Sequence, residues 1–298
     1  MKTYITDIQR FSLNDGPGIR STVFFKGCNM KCTWCHNPET LSCDRDVVFY
    51  PSKCIGCEKC FTVCETGAQK IVDGKHVIDR TLCIKCGKCA EVCYAEAIKM
   101  SGKEMSVEEI VAEVIQDKAY YDSSNGGVTL SGGEVLMHIP FAVKLTKALK
   151  AKGINVAIET NLSFPYETIK PLIDEVDLVM ADLKIFDDEQ HKEYTGISNK
   201  NVIENLNKIT DKKLIVRTPM VPGATTSEKN IKDIADFLSD KGNLIYYQLL
   251  NFNPLGGVKY NALDKKYDFE GKQPYSDEEM QKFGDVAKAS GIRVKVGE

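Results

Sequence analysis

The sequence has no apolar run approaching the roughly 18 residues that a membrane-spanning helix needs, and its net charge is only −3. The first lack excludes a helical membrane protein. The second gives no support to a general binder of nucleic acid or of anionic membranes. Aromatic residues are sparse at 8%, while 43% hydrophobic and 27% charged residues are ordinary for soluble domains. Residues Met1 to Arg10 lack the basic, apolar and small-residue segments of a secretory signal, so the expected location is the cytoplasm. Cysteine is missing from residue 94 to the end, yet twelve crowd between positions 28 and 93. In a reducing compartment, that crowding points to metal ligation rather than disulfides.

With 298 residues, the chain is long enough for two units or one large α/β barrel. The cysteines divide it. Residues 1–45 carry one strand-like run, Arg20 to Lys26, feeding a loop with three close cysteines; residues 46–100 form a cysteine-dense insert; residues 101–298 alternate helix-like and strand-like segments. A helix is expected over 106–121, opened by Ser106 and Glu109 at capping-box spacing. Others are expected at 139–151, 199–210 and 227–240. Buried parallel strands are expected at Gly127–Ser131, Ile154–Glu159, Leu178–Leu183, Leu214–Thr218 and Tyr246–Leu250. With Arg20–Lys26 these make six, too few for a closed eight-stranded barrel, so the expected fold is α/β, a partial (β/α)6 barrel open on one side. Ligands gather at the carboxyl edge of such sheets. Gly132, Gly133, Glu134, Glu159, Thr160, Asp182, Lys184 and Arg217 all fall there.

The insert repeats itself. Cys54-x2-Cys57-x2-Cys60-x3-Cys64 returns 29 residues later as Cys83-x2-Cys86-x2-Cys89-x3-Cys93. In two-[4Fe-4S] ferredoxins, three closely spaced cysteines wrap one cluster and the fourth reaches across to the other. On that pattern Cys54, Cys57, Cys60 and Cys93 hold one cluster, and Cys83, Cys86, Cys89 and Cys64 hold the second. Glu65 and Tyr94 stand where the bacterial pattern has proline. A pair of zinc sites is the competing reading, but it calls for paired C-x2-C half-sites and leaves the third cysteine of each run unexplained.

Cys28-x3-Cys32-x2-Cys35 is different, because it has three ligands and no fourth cysteine nearby. Three thiolates on a four-iron cluster leave one iron open, as catalytic metal centres keep one position free. A three-cysteine zinc site completed by His36 is the alternative.

The spacing Cys28-Asn-Met-Lys-Cys32-Thr-Trp34-Cys35 resembles the signature of the radical S-adenosylmethionine superfamily, in which the cofactor's amino and carboxylate groups chelate the unique iron. The flanking Asn14-Asp15-Gly16-Pro17-Gly18-Ile19-Arg20, Phe24 to Cys28, and Trp34-Cys35-His36-Asn37-Pro38 narrow the resemblance to the activating enzymes of glycyl radical enzymes. Further similar segments are Ser131 to Glu134, Met180 to Lys184, His191 to Gly196, Arg217, Val221-Pro222-Gly223 and Leu249 to Gly256. The resemblance implies a radical-SAM barrel carrying a ferredoxin-like two-[4Fe-4S] insert, three clusters in all, with S-adenosylmethionine as cofactor. It implies a glycyl radical enzyme as protein partner, flavodoxin or ferredoxin as reductant, no nucleic acid or membrane, and a monomer that docks transiently.

The same resemblance assigns cofactor contacts to Trp34, His36, Gly132, Gly133, Glu134, Asp182, Lys184, Arg217 and Asn253. Gly-Gly-Glu would receive the methionyl amine, for glycines allow close backbone approach and a carboxylate suits an ammonium. Asp182, Lys184 and Arg217 would meet the ribose and carboxylate end; the plain alternative is a structural ion-pair network. A monovalent cation is implied at Glu159, Thr160, Met180 and Asp182, with glutamate replacing the usual aspartate at 159. Asn253 stands where the family often has histidine, and it carries no proton at neutral pH. His76, His138 and His191 are expected in surface or capping roles, and Cys43 as a free thiol. Two other functions remain open on the residues alone: a radical enzyme acting on a small molecule or peptide, and a non-catalytic electron carrier.

Overall fold

A computed structural model describes residues 1–297 of the chain. Strands β1 (Lys2–Ser12) and β2 (Arg20–Phe25) form an antiparallel pair. The insert follows with β3 (Asp46–Phe49), a hairpin of β4 (Gln69–Val72) and β5 (Lys75–Ile78), and β6 (Ile98–Ser101), which pairs back onto β3. Strand β7 (Lys103–Ser106) rejoins β1. After it come β8 (Gly127–Gly132), β9 (Val156–Thr160), β10 (Leu178–Asp182), β11 (Lys213–Met220), β12 (Leu244–Asn251) and β13 (Val294–Val296).

Nine of these strands make one open sheet in the order β13-β12-β11-β10-β9-β8-β2-β1-β7. The six expected parallel strands are all present and adjacent. The sheet is wider than six, because β13 adds a parallel strand at one edge and β1 and β7 add antiparallel ones at the other. Helices such as Ile139–Lys150, Lys200–Lys208 and Glu228–Leu238 cover the sheet in alternation with the strands. Strands β9 and β10 are buried on both faces, so they open with apolar runs, Val156–Ile158 and Leu178–Ala181, before ending in Glu159, Thr160 and Asp182. One apolar core joins sheet and helices, and within it Leu145, Ile158, Leu172 and Val179 lose all solvent contact.

The helix expected over 106–121 is broken. It starts as predicted, with Ser106 and Glu109 capping each other, but ends at Val114; a tight turn at Ile115–Asp117 precedes a second helix, Lys118–Ser124. Asp117 explains the break. It is wholly buried and accepts hydrogen bonds from Arg10 Nε at 2.8 Å and Ser21 Oγ at 2.9 Å, which turns its backbone toward the first two strands. Among the described residues no helix is long and apolar enough to cross a membrane.

The insert strands span Asp46 to Ser101 and enclose a small core of Val47, Phe49, Ile78, Ala97 and Ile98. Arg80 fastens it to the far end of the chain, donating to Asp264 at 2.7 Å and to the Ala262 carbonyl at 3.2 Å.

Candidate active site and cysteine cavities

The loop carrying Cys28, Cys32 and Cys35 leaves the carboxyl end of β2 and is held from several sides. Lys26, fully buried at its start, donates to the carbonyls of Glu39 at 2.6 Å and Ser42 at 3.3 Å and to Asp46 at 3.3 Å. The backbone of Lys31 donates to Thr195 O at 2.8 Å, and that of Thr33 to Tyr194 O at 3.0 Å, so helix Asp188–Thr195 grips the middle of the loop. Trp34 packs on Tyr194 and Phe269. Lys259 closes the far side through Asn37 Oδ1 at 2.6 Å and Glu39 at 2.8 Å. Cys35 and His36 are half-buried on that side.

Burial pushes all three thiols upward, Cys35 to about 12, so none ionises readily by itself. Lys184 pulls Cys32 the other way. Such thiols become thiolates when a cationic metal centre replaces their protons. The donor set therefore fits an iron–sulfur cluster.

Glu134 is almost wholly buried. Its Oε1 accepts from Thr160 Oγ1 at 2.7 Å and Leu136 N at 3.0 Å, and its Oε2 from Asn161 N at 2.7 Å. Burial still raises its carboxyl to about 7 against those donors. Oε2 keeps one acceptor position of the roughly four a carboxylate offers. The preceding glycines have a structural reason of their own: an added Cβ would lie 2.2 Å from Phe25 N at Gly132 and 2.3 Å from Gly27 O at Gly133. Their close approach is thus to β2 and the cysteine loop. Gly133 N and Glu134 N already donate to Phe25 O and Gly27 O, so this stretch offers a cationic amine carbonyl oxygens and the Glu134 carboxylate.

Lys184 and Asp182 pair at 2.6 Å. Burial opposes the charge on Lys184, but Asp182 and Cys32 outweigh it and hold the ammonium charged above the ordinary lysine value. Arg217 pairs with Glu159, which also accepts from Ser131, and its second arm donates to Asn14 O at 2.9 Å. Of the set expected for a monovalent cation, Glu159 pairs with Arg217, Thr160 Oγ1 donates to Glu134 and Asp182 pairs with Lys184. The Met180 side chain packs with Ala157, Leu178 and Ile215. Asn253 Oδ1 accepts from Leu255 N at 3.0 Å in a local turn.

The histidine expectations are corrected. His191 is wholly buried, its Nδ1 2.7 Å from Ile197 O behind the cysteine loop. His138 occupies the N-cap position of its helix but makes no capping bond; its ring bridges Thr3 and Lys26 O. His76 lies against cysteines in the insert. Sequence reasoning also missed Lys26, Asn161 and Lys259, which hold the loop through tertiary contacts that no local motif marks.

In the insert, Cys54, Cys57, Cys60 and Cys93 line one cavity of about 490 Å³. Cys64, Cys83, Cys86 and Cys89 line a second of about 370 Å³. Each cavity collects three cysteines from one repeat and one from the other. Among the described residues no three His, Cys, Asp or Glu side chains converge as a single metal ion would require.

A loop of three half-buried cysteines at the carboxyl edge of an open parallel sheet, with charged strand ends beside it, defines a class, and the chain matches the Radical SAM superfamily over residues 22–238. It belongs to that superfamily and, within it, to the activating enzymes of glycyl radical enzymes. It is 40% identical to the benzylsuccinate synthase activating enzyme of Thauera aromatica over 98% of this chain and 92% of that one. It is 41% identical to the (2S)-3-sulfopropanediol dehydratase activating enzyme of Klebsiella oxytoca over 88% of this chain and 86% of that one. The fold is shared with SuiB of Streptococcus suis, solved with its precursor peptide SuiA, at TM-score 0.51 and 14% identity over 91% of this chain and 46% of that one.

Proposed function

We propose that Cys28, Cys32 and Cys35 hold a [4Fe-4S] cluster at which S-adenosylmethionine binds, and that this chain installs the glycyl radical of a partner enzyme. When bound and reduced, the cluster passes one electron to the sulfonium, giving methionine and a 5′-deoxyadenosyl radical that takes one Cα hydrogen from the partner's glycine. The observation that carries this reading is the half-buried three-cysteine loop beside Lys184, Asp182 and Glu134.

The chain's own residues bind and orient. Three thiolates satisfy three irons and leave one for the cofactor. Lys184, held charged, suits the methionyl carboxylate, and the free acceptor position of Glu134 suits the ammonium. Asp182 faces the ribose, while Trp34, His36 and Asn253 border the site. Arg217, neutralised by Glu159, positions the Asn14–Gly18 loop under the barrel. No protein acid or base is needed; the residues position the reactants and exclude water.

Two further [4Fe-4S] clusters in the insert form an electron path from flavodoxin or ferredoxin. Full flavodoxin-driven activity after Cys57→Ala and Cys86→Ala would overturn that path. The reading expects a cytoplasmic monomer. The experiment for the chemistry is anaerobic reconstitution followed by reduction and quantification of 5′-deoxyadenosine. The reading predicts product from the wild type and none from Cys32→Ala; no product from fully reduced wild type would overturn it.

A further inference from the structure

The two halves of the insert repeat in sequence, but the structure makes them unequal at one residue. Hairpin β4–β5 folds over the cavity of Cys54, Cys57, Cys60 and Cys93 and brings His76 to its wall. His76 Nδ1 lies 3.7 Å from Cys54 Sγ, Nε2 lies 3.9 Å from Cys60 Sγ, and Gln69 Oε1 lies 2.6 Å from Nε2. Phe49 and Phe61 clamp the ring, with centroids at 4.5 and 5.0 Å.

At the repeat distance of 29 residues, Gln69 corresponds to Ile98 and His76 to Met105. Met105 has left the insert for the barrel core. Among the residues lining the second cavity there is no histidine. There, Thr66 Oγ1 lies 3.7 Å from Cys64 Sγ. A half-buried hydroxyl rotates freely about its own bond, whereas Phe49 and Phe61 fix the direction of the imidazole.

We infer that His76 donates a hydrogen bond from Nδ1 to the Cys54 sulfur of the cluster held by Cys54, Cys57, Cys60 and Cys93, and that this contact makes that cluster the higher-potential member of the pair. The inference rests on the reading of the insert as a two-cluster domain. A cluster-bound cysteine sulfur carries negative charge and accepts only, so the ring directs its N–H to sulfur. The Gln69 amide, whose two ends exchange by rotation, then presents its NH2 group to the other ring nitrogen. Adding an electron increases the charge on the sulfurs, and an N–H aimed at them stabilises the reduced form. The aromatic walls keep water from competing for that bond. The electron therefore settles first on this cluster, and the insert becomes an ordered relay rather than two equivalent stations. His76 is a tuning and positioning residue, and it takes no part in the chemistry at Cys28, Cys32 and Cys35.

The test is an anaerobic redox titration of the reconstituted full chain followed by electron paramagnetic resonance, for the wild type, His76→Phe and His76→Gln. Iron is counted first, and about twelve atoms per chain are expected for three clusters. A wild-type count near four overturns the reading of the insert, separately from the role of His76. With iron retained, His76→Phe is expected to shift one insert midpoint to lower potential and leave the other two clusters unmoved; His76→Gln, which keeps an N–H, shifts it less. Unmoved potentials in iron-replete His76→Phe overturn the inference. Wild-type protein labelled with 15N-histidine gives a reading independent of variant folding: pulsed resonance of the reduced chain should show nitrogen coupling on one cluster, and its absence overturns the inference equally.

Discussion

In the barrel, Leu145, Ile158 and Val179 belong to one continuous apolar core without solvent contact, whereas the insert encloses only Val47, Phe49, Ile78, Ala97 and Ile98, with Cys60 and Cys89 packed among them. The barrel holds itself together by burial and lends that rigidity to the cysteine loop through Lys26, Thr195 and Lys259. The insert is shorter than the roughly 70–80 residues at which a single core suffices, and it also leans on the chain through Arg80 and Asp264. On the proposed function, metal ligation completes it, and cysteine serves chemistry in one region and folding in the other.

The largest expected effect follows from removing iron anaerobically with a chelator. Amides of β3 to β6 should lose their protection from hydrogen exchange while β8 to β12 keep theirs. An insert that stays protected without iron would break the comparison. Next, Leu145→Ala should cost about 3 kcal/mol, the usual range for a buried leucine that leaves a cavity, and should lower the thermal midpoint without changing bound iron per folded chain. A smaller effect is expected at Asp117. Its hydrogen bonds from Arg10, opposed by burial and aided by Ser21, hold the carboxyl below the ordinary carboxylate value. A depressed value means stability that is present above about pH 4 and lost as the pH falls further. Asp117→Asn should therefore cost about 2 kcal/mol at neutral pH, and the difference from wild type should shrink below pH 4 in acid denaturation curves.

The six central strands were legible because strands buried on both faces are apolar along most of their length, as Val156–Ile158 of β9 and Leu178–Ala181 of β10 show. Strand β1 was not, since Lys2–Ser12 mixes charged and apolar residues as its one exposed side requires; β13 has only three residues. Helix Asp188–Thr195 is polar, and only His191 and Thr195 turn fully inward, which made a buried histidine look like a surface one. At the site, the grouping of the insert cysteines around two cavities was legible as spacing, since chain geometry limits which thiols can meet. The partners of Glu134 and Glu159 were not. Thr160, Asn161 and Arg217 reach those carboxylates from neighbouring strands, and strand register is a tertiary fact. The two glycines at 132 and 133 were legible as a close approach, but the approaching group is the neighbouring backbone.

The most direct measurement is to reduce the reconstituted chain anaerobically with S-adenosylmethionine and a candidate glycyl radical enzyme, then record the electron paramagnetic resonance spectrum and quantify 5′-deoxyadenosine in the same sample. The account predicts a glycyl doublet on the partner and stoichiometric 5′-deoxyadenosine with the wild type, and neither with Cys32→Ala. S-adenosylmethionine left intact by fully reduced wild type, or a doublet that persists in Cys32→Ala, would contradict it.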